Sequence, residues 1–507
     1  MKIKLLLLSF LLSLGMTNAQ SPVGIFSDHV DVGNPKKKGG ATYDEQTQTY
    51  FIKGAGYNIW FERDEFHFAH QKLKGDFILT ANFGFNGDGV DPHRKIGWMV
   101  RESLDESAAH VSATLHGDGL TVLQWRELRG AFMRDPQDEI FPPKSNYTII
   151  QLERSGKELI MRAAHFGEPL QLIGSHMMPD MPDEVFAGIF VGSHNPDVVE
   201  EGIAWNVRID KPLPATYNPY REGWLGARLE TMTIADGKRT VIYEKEKGFE
   251  APNWMPDGRE LLFNMDGSIY TIPLTGGEPQ QLNTGDLKRN NNDHGISFDG
   301  KMLAVSSHRD GLPGGGSTVY VLPLTGGVPD LVTEKTPSYF HGWAPNNKEV
   351  VYVAQRGEAK GYNIYKANIK TKVETQLTNF TYGHVDGCEY SPDGKYIYYN
   401  GSQSGTMQLW RMKADGTGQE QLTFDDNNDW FPHISPDGKW ILYISFPPTI
   451  PVNDHPPYKR VELKIMAAAG GQSKVLAYMY GGQGTINTPS WSPDSKSVAF
   501  VSNSGKK

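Results

Sequence analysis

Apolar and polar residues alternate along most of this chain with a period of two, the pattern of half-buried β-strands, and helical periodicity is scarce. Between Asn253 and Asn503 the alternation is organised by a recurring phrase: a short strand, a Pro-Asp-Gly turn, then a second strand. It reads NWMPDGRELLF from Asn253, HGISFDGKMLAV from His294, HGWAPNNKEVVYV from His341, CEYSPDGKYIYY from Cys388, HISPDGKWILY from His433 and SWSPDSKSVAF from Ser490. The turn residues Asp257, Asp299, Asn346, Asp393, Asp437 and Asp494 lie 42, 47, 47, 44 and 57 positions apart. Two further strands follow in each repeat, as MQLWRMK from Met407 and GQEQLT from Gly418 do. A period in the forties with four short strands per unit predicts β-propeller blades. The sixth copy lacks its outer strands, and the pair RLETMTI and RTVIYEK between Arg228 and Lys245 is expected to supply them. That pairing closes a ring of six blades and removes the exposed edges of an open array.

Upstream of the repeats the alternating strands carry no such phrase. They include DFILTANFGF from Asp76, KIGWMVRES from Lys95, HVSATLH from His110, LTVLQWREL from Leu120, YTIIQLERS from Tyr147 and VFAGIFVGS from Val185, separated by Gly, Asp or Asn turns. So many strands over nearly two hundred residues predict a two-sheet sandwich. The order of a Trp-rich strand, GDF, KIGWMVRES and FAGIFVGS resembles concanavalin-like jelly rolls, a resemblance that covers most of this region. It implies a glycan-binding face on which Trp60, Trp98 or Trp125 would stack on sugar rings; the alternative is that these indoles fill the core. His67, His70, His93, His110 and His116 are scattered without metal-like clustering and read as surface or structural. Pro212, Pro214 and Pro219 mark a stiff linker. The fold class is all-β: a leader over residues 1–19, a jelly-roll sandwich over 20–210, a linker over 211–225 and a six-bladed propeller over 226–507.

The leader itself, MKIKLLLLSFLLSLGMTNAQ, has Lys2 and Lys4, a short apolar run and small residues before an expected cleavage after Ala19, which predicts export to the periplasm or beyond. No second apolar run of spanning length occurs, so membrane insertion is not expected. Cys388 is the single cysteine, so no intramolecular disulfide stabilises the fold. The net charge is −9, and −11 once Lys2 and Lys4 leave with the leader, which argues against nucleic acid and anionic membrane surfaces as partners.

The strand–Pro-Asp-Gly–strand phrase resembles the repeats of TolB-type propellers, over about residues 228–507. Asn346-Asn347 and Asp494-Ser495 depart from the Asp-Gly turn and read as turn variation. Propellers of this kind serve as envelope scaffolds, as accessory domains of peptidases and as polysaccharide lyases, so the resemblance implies a fold and leaves the function open.

Propeller geometry gives the histidines of this region a meaning. The first strand of each blade descends beside the axis toward its turn, so residues before the phrase ring one mouth. His294, His341 and Cys388 each precede their turn residue by five positions and His433 by four. His384 and Asp386 lie in the connection to the fourth blade, and His308 and His455 in loops between second and third strands. His294, His341, His384 and His433 are the candidate catalytic groups; Asp293, Asp386, Glu389, Trp430, His308 and His455 are the candidate substrate contacts. His294, His341 and Cys388 are candidate ligands for a divalent metal, Zn, Mn or Ca. The competing reading makes the first-strand histidines struts between blades. The loop from Asp310 to Thr318 is Gly-rich but lacks the Lys-Ser/Thr of a phosphate cradle, and the Pro-rich insertion from Ser445 to Arg460 is placed to act as a flap. No Gly-x-Ser-x-Gly elbow and no His-Glu-x-x-His helix occurs.

The leading expectation is a periplasmic or secreted carbohydrate-directed protein, with glycan bound by the sandwich and sugar bound or processed at the mouth. One alternative is a non-enzymatic TolB-like scaffold docking an envelope protein. Another is a metal-dependent lyase acting on uronic-acid glycans; the likeness to oligogalacturonate lyases is limited to propeller type and central histidines.

Overall fold

The computed structural model describes residues 21–357 and 361–503, and the leader expected over residues 1–19 lies outside them. Strands from Asp28–Val32 to Glu200–Asp210 form two seven-stranded sheets. Alternate residues of both sheets meet in one cluster, among them Leu79, Phe83 and Leu152 from one and Ile96, Trp98 and Val111 from the other. The period of two therefore sends one face of every strand inward. Trp98 is fully buried there, its Nε1 donating to the Ile150 carbonyl at 3.2 Å. Trp125 is also in this core, stacked on the His176 ring at 3.9 Å. Neither indole is free to stack on a sugar, which corrects that expectation for both; Trp60 is half-buried.

The chain from Ala227 onward forms six blades. Five have four strands each, with innermost strands Phe249–Trp254 (blade I), Asn290–Ile296 (II), Ser338–Trp343 (III), Val385–Tyr390 (IV) and Asn428–Ile434 (V). Blade VI is made from both ends of the propeller. Ser497–Asn503 pairs with Ala227–Thr233 from Asn503↔Ala227 to Ser497↔Thr233, and Arg239–Lys245 lies outside. Its inner strand is reduced to the bridge Trp491↔Val498. The orphan pair predicted to close the ring does so. No helix among the described residues is long and apolar enough to cross a membrane.

The turns show how the repeat phrase works. In blades II, IV, V and VI a Ser hydroxyl donates to the turn Asp, as Ser391 does to Asp393 at 2.7 Å, and the Asp accepts the backbone N–H two residues on, as from Lys395 at 3.1 Å. The next turn residue is left-handed, with φ of 71°, 67°, 71° and 71° at Gly258, Gly300, Gly394 and Gly438, where glycine has no steric cost. Three of these glycines sit under a proline of the preceding blade: Pro493 over Gly258, Pro256 over Gly300 and Pro345 over Gly394. Asn347 and Ser495 adopt the same conformation, with φ of 53° and 62°. Their side chains then do what a glycine cannot: Asn347 Oδ1 accepts from Asp299 N at 3.2 Å and Ser495 Oγ from Asp437 N at 3.0 Å, each across a blade seam. The two departures from Asp-Gly are thus specific joints.

The sandwich docks on blades V and VI through buried charge. Glu230, fully buried on the closing strand, accepts from Arg208 of the sandwich at 2.5 Å and from Arg239 at 2.5 and 3.0 Å, and from Ser502 of the last strand at 2.5 Å. Burial alone would raise this carboxyl, but the two guanidinium groups outweigh it and hold Glu230 far below the usual range. Arg460 and Arg162 converge on Glu153, and the Gln48 amide pairs with the Val241 backbone in both directions. Removing one member of such a network strands the others in low dielectric. Glu230→Ala is therefore expected to lower the unfolding free energy by about 3–5 kcal/mol, read as a drop in the denaturant midpoint; a loss within experimental error would disprove the role given to this network.

Candidate functional site

Every inner strand of blades I to V is interrupted at the same level. Ladder register shifts between Glu250 and Asn253, Asn290 and His294, Phe340 and Gly342, Asp386 and Glu389, and Trp430 and His433. Each shift inserts extra residue length, and Ala251 and Phe431 carry it with φ of 57°. A bulge re-aims the side chains beside it. The interruptions of blades I to IV line one mouth, a cavity of about 660 Å³.

The charged centre of the mouth is His341, Asp386 and His384. His341 Nε2 lies 2.6 Å from Asp386 Oδ1 and His384 Nε2 3.7 Å from Oδ2. Burial works against charge on both partners of the first pair, but their attraction prevails: the Asp386 carboxyl is held well below its ordinary value and the His341 imidazole is raised. A second carboxyl pair behaves oppositely. Burial, against the pull of His341, pushes Asp293 up to about 7. Burial likewise pushes Glu250 up to about 7, against hydrogen bonds from Asn292 and Tyr220. The mouth therefore holds a carboxyl and an imidazole whose mutual attraction favours their charged forms, and two carboxyls poised to titrate near neutrality.

Of the residues singled out from sequence, Asp293, His308, His341, His384, Asp386 and His455 line this cavity. His308 donates Nδ1–H to the Gly315 carbonyl at 2.9 Å, which ties it to the Gly-rich loop, and His455 comes from the Pro-rich insertion. Burial takes His455 down to about 4, and its ring lies 4.2 Å from that of Trp430. The other candidates sit deeper. His433 Nδ1 meets Glu389 Oε2 at 2.6 Å, and its Nε2 meets the Ile486 carbonyl, so this pair spans blades IV, V and VI as a strut. Trp430 is fully buried in the core between those blades. His294 is fully buried too, and burial carries its imidazole down to about 3. Cys388 is packed with Val351, Val353 and Ile364, where burial raises its thiol well above its ordinary value. His294, His341 and Cys388 are therefore not gathered as metal ligands, and among the described residues no three His, Cys, Asp or Glu side chains are placed to hold an ion.

Sequence reasoning passed over Glu250, Tyr339, Tyr362 and the Asn290–Asn292 run. Glu250 had a signal, since it stands seven positions before Asp257 as Asp386 does before Asp393. Tyr220 and Trp224 had none: they belong to the linker, where Asn218 caps the short helix Pro219–Glu222 and carries both rings to the rim. Tyr220 remains 62% exposed there.

Fold and mouth define a six-bladed β-propeller of the Pro-Asp-Gly repeat type. A family model described as the TolB beta propeller domain matches residues 342–450. An uncharacterized protein of Agrobacterium fabrum is 42% identical over 280 residues, which are 55% of this chain and 93% of that protein. The structure of a putative TolB from Agrobacterium tumefaciens superposes with a TM-score of 0.52 at 41% identity, covering 55% of this chain and 98% of that one. The Tol-Pal system protein TolB of Francisella tularensis is 24% identical over 288 residues, and the match spans 62% of its length. The chain belongs to the TolB-like β-propeller family.

The poised carboxyls give a pH test. Unfolded carboxyls titrate at about 4, so folding raises Asp293 and Glu250, and the stability contributed by their neutral forms is complete below about pH 4 and lost as pH rises through about 7. Asp293→Asn keeps that site neutral throughout. The variant is expected to lose less melting temperature than the parent between about pH 5 and about pH 8, and parallel curves would refute the assignment.

Proposed function

We propose that the protein is a non-enzymatic envelope scaffold of TolB type, exported by its leader to the periplasm, which receives a segment of a partner protein in the propeller mouth. The observation that carries this reading is the composition of the mouth in a propeller related to TolB proteins. Its wall offers amide groups from Asn264, Asn290, Asn487 and Gln483, donors and acceptors that suit an extended peptide, and aromatic rings from Tyr339, Tyr362 and Trp224. The His341–Asp386 pair at its centre supplies a fixed charge pattern for orientation. Affinity capture from an envelope extract on the mature protein tests this. A defined envelope protein is expected to be retained in the presence of excess mono- and oligosaccharides, and to be captured about ten-fold less by a His341→Ala/Asp386→Ala variant. Equal capture by the variant, or release by a sugar, would turn the result against it.

A second reading, sugar processing at the mouth with a concanavalin-like sandwich holding the glycan, is favoured by one observation. Asp293 and Glu250, carboxyls that titrate at about 7 in the mouth, are equipped to act as general acids. Its sharpest form, a lyase acting on uronic-acid glycans with Zn, Mn or Ca, predicts an unsaturated, ultraviolet-absorbing product. Incubation with polygalacturonate and alginate, with each metal added in turn, is decisive: no rise in absorbance with either polymer excludes it.

A further inference from the structure

A second cavity, of about 580 Å³, opens between the sandwich and blade VI, where Val241 and Glu244 of the outer strand line it. Its size falls within the roughly 300–1,000 Å³ of small-molecule sites, which favour domain interfaces. The floor is apolar: Tyr50 and Leu73 are buried, Ile25 and Val241 flank them, and the Tyr43 ring lies against Tyr50 at 4.6 Å. The polar wall is cationic in a chain of net charge −9. Lys72, Lys74, Arg208, Lys211 and Arg228 line it, with Glu244 as the one acidic residue of the lining.

Four of those five cations already have carboxylate partners. Arg208 is bound to Glu230, Arg228 to Asp210 at 2.8 Å and Glu244 at 3.1 Å, Lys72 to Glu184 at 2.7 Å and Lys74 to Asp183 at 3.7 Å. Lys211 differs. It is half-buried at the start of the linker, its ammonium donates to the Lys74 carbonyl at 2.7 Å, and among the described residues no carboxylate oxygen lies within 4 Å of it. Arg208 adds a buried Nε–H without a hydrogen-bond acceptor. A half-desolvated ammonium with spare donors beside an apolar floor is complementary to one chemistry, an anionic oxygen group carried on an apolar body.

We propose that this cleft binds a small amphipathic carboxylate, its apolar body over Tyr43, Tyr50 and Leu73 and its carboxylate paired with the Lys211 ammonium. Such a ligand touches the sandwich, the linker and blade VI at once, so it would bind only the docked arrangement.

Calorimetric titration of the mature protein with decanoate, below its micelle concentration, tests the proposal, with decanol and decyltrimethylammonium as neutral and cationic counterparts. Saturable decanoate binding is expected, weakened about ten-fold or more by Lys211→Gln, since a charge-assisted hydrogen bond is lost. Tyr43→Ala should weaken it as well, and the exposed turn variant Lys301→Gln should leave it unchanged. Absence of saturable decanoate binding, equal affinity for decanol, or parental affinity in Lys211→Gln would each overturn the proposal.

Discussion

One buried carboxylate, that of Glu230, joins everything the chain has to hold together. It sits on the strand that closes the ring, accepts from Arg208 of the sandwich and Arg239 of its own blade, and is reached by Ser502 on the last strand. A propeller is a set of near-independent blades whose cooperation depends on closure, because an open array leaves an edge strand at each end. Closure here is a seven-pair ladder between Ala227–Thr233 and Ser497–Asn503. The Glu230 network adds direction to that ladder, since two forked guanidinium groups fix a carboxylate in one orientation. The sandwich is therefore anchored at the joint of the ring, and its position relative to the mouth follows from that anchor.

The blades were legible because the repeat phrase couples turn chemistry to strand period. Asp257, Asp299, Asp393, Asp437 and Asp494 each announce a turn, and the closing pair at Arg228 to Lys245 was visible as strands without a turn phrase of their own. The mouth was legible only in part, for a definite reason. Counting back from a turn identifies the face of a residue only while the strand keeps its period of two, and one inserted residue reverses every side chain beyond it. By the register of the ladders, blades I, III, IV and V carry one extra residue and blade II carries two. His294, His341 and Cys388, all five positions before a turn, therefore do not share an environment. His341 is itself the inserted residue of blade III and reaches the mouth, whereas Cys388 turns into the core. Nothing in local composition marks these insertions.

The linker was read as a spacer because its prolines stiffen it, and it is more than that. Lys211 stands in the interdomain cleft, Ala215 accepts from Lys459, Tyr220 and Trp224 reach the mouth, and the backbone at Leu225 and Gly226 is held by the Tyr458 hydroxyl at 3.0 and 3.1 Å. One stretch of chain thus touches both cavities. A displacement of the sandwich would be transmitted along it to the rings at the rim, a coupling through contiguous contacts that proline stiffness favours.

The joints at Asn347 and Ser495 give the ring a direction. They fall at the II–III and V–VI seams, and the same two seams carry the indole bonds from Trp343 to Gly295 and from Trp491 to His433, each 2.9 Å. In a six-membered ring those seams are diametrically opposed. At the I–II, III–IV and VI–I seams the turns meet instead as proline nested over glycine, a contact that resists compression but lets surfaces slide. Away from the turns those seams are tied as well, by Asn264 Nδ2 to the Asn290 carbonyl at I–II, His341 to Asp386 at III–IV and Asn253 Nδ2 to the Pro489 carbonyl at VI–I, as Glu389 and His433 tie IV–V. The turn rim therefore only packs at seams that are bonded nearer the mouth, so a change in the shape of the ring has fewer hydrogen bonds to break on the turn side than on the side where a guest would enter.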